Sequence, residues 1–558
     1  MTQLRFVSVL VAAAAATVSF AQSATIPAPV MQVAKAQITR NALEAPIRFL
    51  ASDALEGRGP ATRGDTLARL YLASELEQLG YLPGGTAGKW EQPFDIVGMR
   101  TRAPKAWSFR GKSGNVDLAW HEDYIGASGV QKPTSSIDDA EVVFVGYGIE
   151  APEYQWNDFK GADLEGKVLL MLNNDPEADP KLFGGKTRLY YGRWTYKYES
   201  AARHKAAGVI IIHTTPSAGY PWQVVQTSWG GEQFELPDEG EPRIQFKGWA
   251  TEAAARKLVQ AAGRNLDDLV KSAQSRSFKP VSLGIRTSFT TQNEVSKVKT
   301  ANVAGILPGG DPKLRDEVVV YSAHHDHLGI GEPDAAGDRI YNGAQDNASG
   351  CAQVLAIARA LAALPQRPKR SQLILFVAAE EQGLLGSKYY SLHPTIEAGR
   401  IAANINYDGG NFYGRTRDVT QIGHGKSTLD ALAQSIAAMQ GRKVNPDQFP
   451  DRGFYYRSDQ FSFAKIGVPA LYLDTGLDFI GRPAGWGKEQ LEAWEAKDYH
   501  QPSDELRDTW TFDGMIDDAQ LGFFTGWLIS ENDALPAWNP GDEFEAARKR
   551  ALAQSAAR

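Results

Sequence analysis

A single cysteine, Cys351, in 558 residues excludes an intramolecular disulfide framework and leaves thiolate out of any metal site. Long apolar runs are also scarce. After the first twenty residues none approaches the roughly 18 needed to span a bilayer, so no membrane span is expected. No basic stripe is present, and a net charge of −7 with a pI near 5.8 argues against nucleic acid as a partner. No internal repeat is apparent. What remains is the composition of a soluble globular protein, 43% hydrophobic and 22% charged, in a chain long enough for two domains.

The first residues read as a leader. Arg5 gives a short positive flank, Phe6 to Phe20 is apolar and alanine-rich, and Ser19 and Ala21 offer the small-residue pattern of a cleavage site. A signal peptide spanning residues 1–21 is therefore expected, with export to the periplasm or the medium. No cysteine follows the apolar stretch to carry a lipid anchor.

After Thr25 to Pro29, residues 33–50 and 65–79 read as helices. Asp65 is placed to cap the second and Gly80 to end it, with the turn Gly57-Arg58-Gly59-Pro60 between them. This N-terminal part of the main domain is expected over residues 30–139. From Ala140 the texture changes to runs that read as strands (141–148, 166–173 and 208–213) around a short helix at 198–207. His204 and His213 stand alone there, so no metal site is expected in residues 140–290, a separate, mostly β insert. Strand–helix alternation then returns over 291–535. Short apolar runs at 317–323, 372–379, 401–407 and 469–473 suit buried parallel strands, and a helical face runs through Cys351, Val354, Leu355, Ala358 and Leu361. The fold class is α/β: a central, mostly parallel sheet flanked by helices, carrying the insert. Residues 536–558 read as a charged tail ending in a solvated or frayed helix.

Metal-binding side chains recur where such a sheet gathers ligands, at the carboxyl ends of its strands. Three of the nine histidines lie in His324-His325-Asp326-His327, directly after a core-like Val318-Val319-Val320. Alternation along a strand puts His324 and Asp326 on one side, where the carboxylate can orient the imidazole. Glu380-Glu381 closes a buried apolar run, and two adjacent carboxylates there repel unless something positive joins them. Asp346 and Asp408 enlarge the acidic cluster. Asp346-Asn347 alone also reads as an ordinary turn pair. Two divalent cations and one hydroxide balance three ligand carboxylates, so charge favours a two-metal site over a one-metal site. Imidazole and carboxylate ligands without thiolate suit hydrolytic zinc.

The ordered set His-x-Asp (324–326), Gly-Ala-x-Asp-Asn-Ala-Ser-Gly (343–350), Glu-Glu-x-Gly-x-x-Gly-Ser (380–387), Asp408 and Tyr499-His500 resembles the M28 family of zinc metallopeptidases. Phe49 to Gly59 resembles the opening helix and turn of that family. The insert resembles a protease-associated domain, through Val145-Gly146-Tyr147-Gly148 and the stretch from Tyr198 to Ile211.

The resemblance implies an aminopeptidase acting on peptide substrates with two Zn2+ as cofactors. His324 and Asp408 would hold one zinc, Glu381 and His500 the other, and Asp346 both. Asp326 would orient His324. Glu380 would be the general base acting on a metal-bridged water. Tyr499 and Tyr455 are both candidates to stabilise the oxyanion, and a cis peptide is implied between Asp346 and Asn347. His325 and His327 flank the ligand position, so the choice of His324 rests on the His-x-Asp alignment. A carboxypeptidase or glutaminyl cyclase on the same scaffold, or a non-catalytic binding homologue, are the alternatives.

Overall fold

The computed structural model describes residues 25–112 and 114–557; the expected leader lies outside them. The chain opens with α1 (Ala28–Gln37) and α2 (Arg40–Leu50) where the sequence reads as one helix. The break falls at Thr39, which is extended and caps α2 by accepting a hydrogen bond from the Ala42 amide. Helix α3 (Arg63–Gln78) follows, capped by Thr62 and not by Asp65. Asp65 is instead fully buried, its Oδ1 2.9 Å from His325 Nε2 and its Oδ2 accepting from Thr300. A local propensity to cap loses here to a long-range partner.

The central sheet contains β1 (Glu91–Arg102), β2 (Val281–Leu307), β3 (Val318–His324), β4 (Ser371–Val377), β5 (Ile401–Asn406), β6 (Asp418–Ile422) and β7 (Ala470–Asp474). Strand β3 lies between β4 and β5 and runs parallel to both, and β5 is parallel to β7. β2 pairs antiparallel with β4 on one side, and β6 pairs antiparallel with β7 on the other. β3 and β4 are buried along their whole length because both faces are covered. Side chains therefore divide by period two. Val319, Tyr321 and Ala323 join the core under α1, α2, α3, α6 (Gly350–Ala362) and α7 (Asp513–Glu531). Val318 and Val320 join the opposite core with Leu373, Leu375 and Tyr390. Helix α7 comes close enough that a Cβ on Gly526 would sit 1.8 Å from the Tyr321 hydroxyl. Cys351 is fully buried in the first of these cores.

Strand β2 is long enough to serve two structures. Its C-terminal half pairs with β1 and β4, and its N-terminal half pairs with residues 134–144 and 106–111. The second structure has its own core, in which Trp107, Tyr124, Phe246 and Phe289 interlock, with the Trp107 and Phe289 rings 4.3 Å apart. That core draws in residues from Trp107 onward, earlier than the change of texture at Ala140. The stretch 106–128 is polar enough on its outer face to hide which core it serves. Parallel strands at 142–144, 168–172, 208–213 and 246–251 form the middle of this unit, with helices such as α4 (Trp194–Arg203) and α5 (Trp222–Trp229) packed on it.

The C-terminal helix, Glu545–Ala556, is not frayed: it docks one face on the main domain and leaves the other in solvent. It buries Arg548, whose guanidinium donates to the carbonyls of Ala398 and Ile401. Trp538 and Phe544 are buried beside it. Among the described residues no helix is long and apolar enough to cross a membrane.

Candidate metal centre

The carboxyl ends of β3, β4 and β5 deliver the candidate ligands to one place. His324 is the last residue of β3, Glu380 and Glu381 follow β4, and Asp408 follows β5. The loop entering α6 brings Asp346. Asp504 fixes that loop by accepting from the amides of Gln345 and Asp346, while its own carbonyl accepts from Ala344. Asn347 ties the loop to the Asp408 turn: its Oδ1 accepts from Gly350 and Gly409, and its Nδ2 donates to the Tyr407 carbonyl. Gly350 must be glycine, since a Cβ there would lie 2.1 Å from Asn347 Oδ1. The Asp346–Asn347 peptide bond is cis, as the family resemblance implies.

The side chains form two groups that share Asp346. His324 Nε2 lies 3.1 Å from Asp346 Oδ1 and 3.2 Å from Asp408 Oδ1. His500 Nε2 lies 3.0 Å from Glu381 Oε2 and 3.4 Å from Asp346 Oδ2. The two oxygens of one carboxylate thus face two different imidazoles. Three groupings of potential ligand atoms are compact enough for an ion among the described residues: His324, Asp346 and Asp408; His324, Glu380 and Glu381; His327, Asp346 and Glu381.

The flanking histidines take different partners. His325 turns away to Asp65, and His327 holds Glu381, with Nδ1 2.6 Å from Oε1. Asp326 plays a broader part than orienting His324. Its carboxylate accepts from the amides of Glu380 and Glu381, and its backbone carbonyl, 3.2 Å away, is the nearer partner of His324 Nδ1. The carboxylate itself is 3.7 Å from that nitrogen.

Electrostatics follow from burial and crowding. Burial, reinforced by the charges of Asp408, Glu381 and Asp459, pushes the Glu380 carboxyl well above the usual range. Burial also opposes ionisation of Glu381, yet His500 and His327 outweigh it and bring that carboxyl down to about 2. His500 is raised to about 10, because Glu381 and Asp346 overcome its burial. His500 Nε2 is buried without a hydrogen-bond partner. A cluster of acids and imidazoles with an unsatisfied nitrogen, oxygen and nitrogen donors and no thiolate fits divalent zinc.

Residues 302–521 match the model of Peptidase family M28. This segment belongs to the M28 metallopeptidases. The chain is 27% identical over 249 residues to leupeptin-inactivating enzyme 1 of Streptomyces exfoliatus, covering 44% of this chain and 51% of that one. It is 25% identical over 391 residues to a probable leucine aminopeptidase 2 of Aspergillus oryzae, covering 68% and 66%. The chain thus spans about half to two thirds of the length of these curated relatives. Among solved structures, the aminopeptidase from Aneurinibacillus sp. strain AM-1 shares the fold, with a TM-score of 0.52 at 17% identity over 91% of this chain and 97% of that one.

The M28 segment does not supply the whole site. A pocket of about 110 Å³ opens on Asp346, Glu380, Glu381 and Asp408, and its wall includes Tyr472, Tyr499, Trp494 and Arg457. Tyr499 is thus at the site, with its hydroxyl accepting from Arg457 at 3.2 Å. Tyr455 is not. Its ring packs between Tyr456 and Phe544 in an apolar cluster, and it does not line the pocket. Tyr472 takes a place that sequence reasoning missed, donating to the Asp408 carbonyl.

Ser228, on the helix Trp222–Trp229 outside the M28 segment, lies 2.8 Å from His500 Nδ1. An imidazole that uses Nε2 as a ligand carries its proton on Nδ1 and donates it to Ser228 Oγ, which fixes tautomer and ring orientation. Ser228→Ala is expected to weaken zinc affinity at one site by about 10- to 100-fold, measured by competition with a chromogenic chelator. Unchanged affinity would show that Ser228 does not orient this ligand.

Proposed function

We propose that the protein is an exported di-zinc aminopeptidase that removes N-terminal residues from peptides. The carrying observation is the split of Asp346, whose Oδ1 faces His324 and whose Oδ2 faces His500. In this reading His324 and Asp408 hold one ion, Glu381 and His500 hold the other, and Asp346 is shared. Bound there, two zinc ions would lower the pKa of a water and polarise the scissile carbonyl.

The chain's own groups do the rest. Glu380, as the ionised carboxylate whose proton affinity is raised by burial, takes the proton from the attacking water and delivers it to the leaving amine. The Tyr499 hydroxyl already accepts from Arg457, so its own proton is free to meet the developing oxyanion. Asp474 lines the same pocket and offers a carboxylate to a substrate's positively charged α-amino group. Residues 140–290 are read as a protease-associated domain, on the strength of the stretch from Tyr198 to Ile211. Export rests on the apolar leader and is checked by N-terminal sequencing of the mature protein, which should begin at Gln22.

A chelator should abolish hydrolysis of a hexapeptide and zinc should restore it, with metal analysis giving two zinc ions per active chain. N-acetylation of the hexapeptide should stop cleavage and C-terminal amidation should not. The opposite pattern would make the enzyme a carboxypeptidase, and ammonia release with one zinc would make it a glutaminyl cyclase.

A further inference from the structure

A second recess of about 90 Å³ adjoins the main pocket and shares Glu380, Glu381, Arg457 and Tyr499 with it. It is shared by Glu380, Glu381, His500, Tyr499, Arg193 and Arg457. Arg193 comes from the residue before the helix Trp194–Arg203, outside the M28 segment, and Arg457 from inside it.

Neither guanidinium pairs with a carboxylate among the described residues. Arg193 Nε is buried with no hydrogen-bond partner, and its guanidinium carbon stands 5.5 Å from the Trp194 ring centroid. Arg457 donates to the Tyr499 hydroxyl and lies over Tyr220 and Phe454. Burial pulls Arg193 down to about 10, and the charge of Arg457 adds to that pull, so the two cations feel one another. Holding two like charges together in a half-closed recess costs energy unless an anion joins them. Glu380 and, for Arg457, Glu495 offset part of this repulsion, but neither forms an ion pair with these guanidiniums. Both guanidiniums therefore remain open to an anion brought by the substrate.

We propose that Arg193 and Arg457 form a carboxylate subsite on the leaving-group side of the cleaved bond, which selects peptides carrying an anion within one or two residues of that bond. This rests on the peptidase reading above. The recess has space for about one residue, and a peptide advances at most about 3.6 Å per residue, so an anion there must lie close to the reacting centre. The carboxylate has two possible sources: the α-carboxylate of a dipeptide or tripeptide, or an acidic side chain just after the cleaved bond.

The zinc-loaded enzyme is assayed with Leu-Gly, Leu-Gly amide, Leu-Asp amide and Leu-Asn amide. Binding of the same four probes is measured by calorimetry on Glu380→Gln. Charge-assisted pairing predicts a preference of about 10- to 100-fold for Leu-Gly over its amide, or for Leu-Asp amide over Leu-Asn amide, seen in KM and in affinity. The first preference identifies the α-carboxylate as the source, and the second the side chain. Arg193→Met should bring the preference near parity, and Arg193→Lys should keep part of it. Near-ultraviolet circular dichroism verifies that each variant is folded.

Equal handling of acid and amide in both pairs, or a preference that survives Arg193→Met, overturns the subsite. Failure to bind any probe also overturns it. An enzyme that cleaves acids and amides alike keeps the peptidase reading and loses the subsite. A chain that binds the anionic probes better but cleaves none keeps the subsite and loses the peptidase reading.

Discussion

Glu380→Gln is expected to lower kcat by about 10²- to 10⁴-fold while zinc content stays at the wild-type level. The two halves of that expectation come from different features. Glu380 is held in place through its backbone amide, which donates to Asp326, and glutamine preserves that bond. The proposed ligand sets, His324 with Asp346 and Asp408, and His500 with Asp346 and Glu381, do not include the Glu380 side chain. Zinc should therefore still bind. Proton transfer is different, because an amide cannot accept a proton from water at neutral pH. The measurement is steady-state kinetics beside metal analysis of the same sample. Wild-type turnover would remove Glu380 from the role of base, and loss of zinc would make it a ligand instead.

How much of this was legible in the sequence depends on the range of the forces involved. The parallel strands were readable because each is a short run buried on both faces, and burial alone writes an apolar string. The ligand types were readable because strand ends are local features, and residues 324–327, 380–381 and 408 each follow one. Their partners were not. Ser228 is an ordinary serine 272 residues from His500, and nothing in its neighbours marks it. Asp65 has the sequence context of a helix cap, but it is bound to a histidine 260 residues away. Tyr455 and Tyr499 both sit next to motif residues, and only packing separates the one at the pocket from the one in an apolar cluster. The C-terminal helix fails in the same way, since its charged, alanine-rich composition gives no sign that Arg548 finds two buried carbonyls.

Arg58 shows the same limit with a large energetic consequence. The Gly57-Arg58-Gly59 turn is visible in the sequence, and the close approach explains Gly57, where a Cβ would lie 2.5 Å from the carbonyl oxygens of Gly329 and Tyr341. The purpose of the turn is to drive Arg58 into the interior. Its fully buried guanidinium donates to the carbonyls of Leu50, His325, Asn342 and Gly343. One side chain thus ties α2 to the residue after candidate ligand His324 and to the start of the loop that carries Asp346. Arg58→Met fills similar volume and leaves all four acceptors without that donor, at about 1–3 kcal/mol for each that stays unpaired. Removing the cation also relieves its own desolvation penalty, so the net loss is expected to be about 3–5 kcal/mol. Urea unfolding measures it as a lower midpoint at unchanged slope. Zinc affinity should fall with it, since the His325 and Gly343 carbonyls lie beside two of the candidate ligands. A variant with the wild-type midpoint would mean that water satisfies those carbonyls and that the metal site owes its placement to β3, β4 and β5 alone.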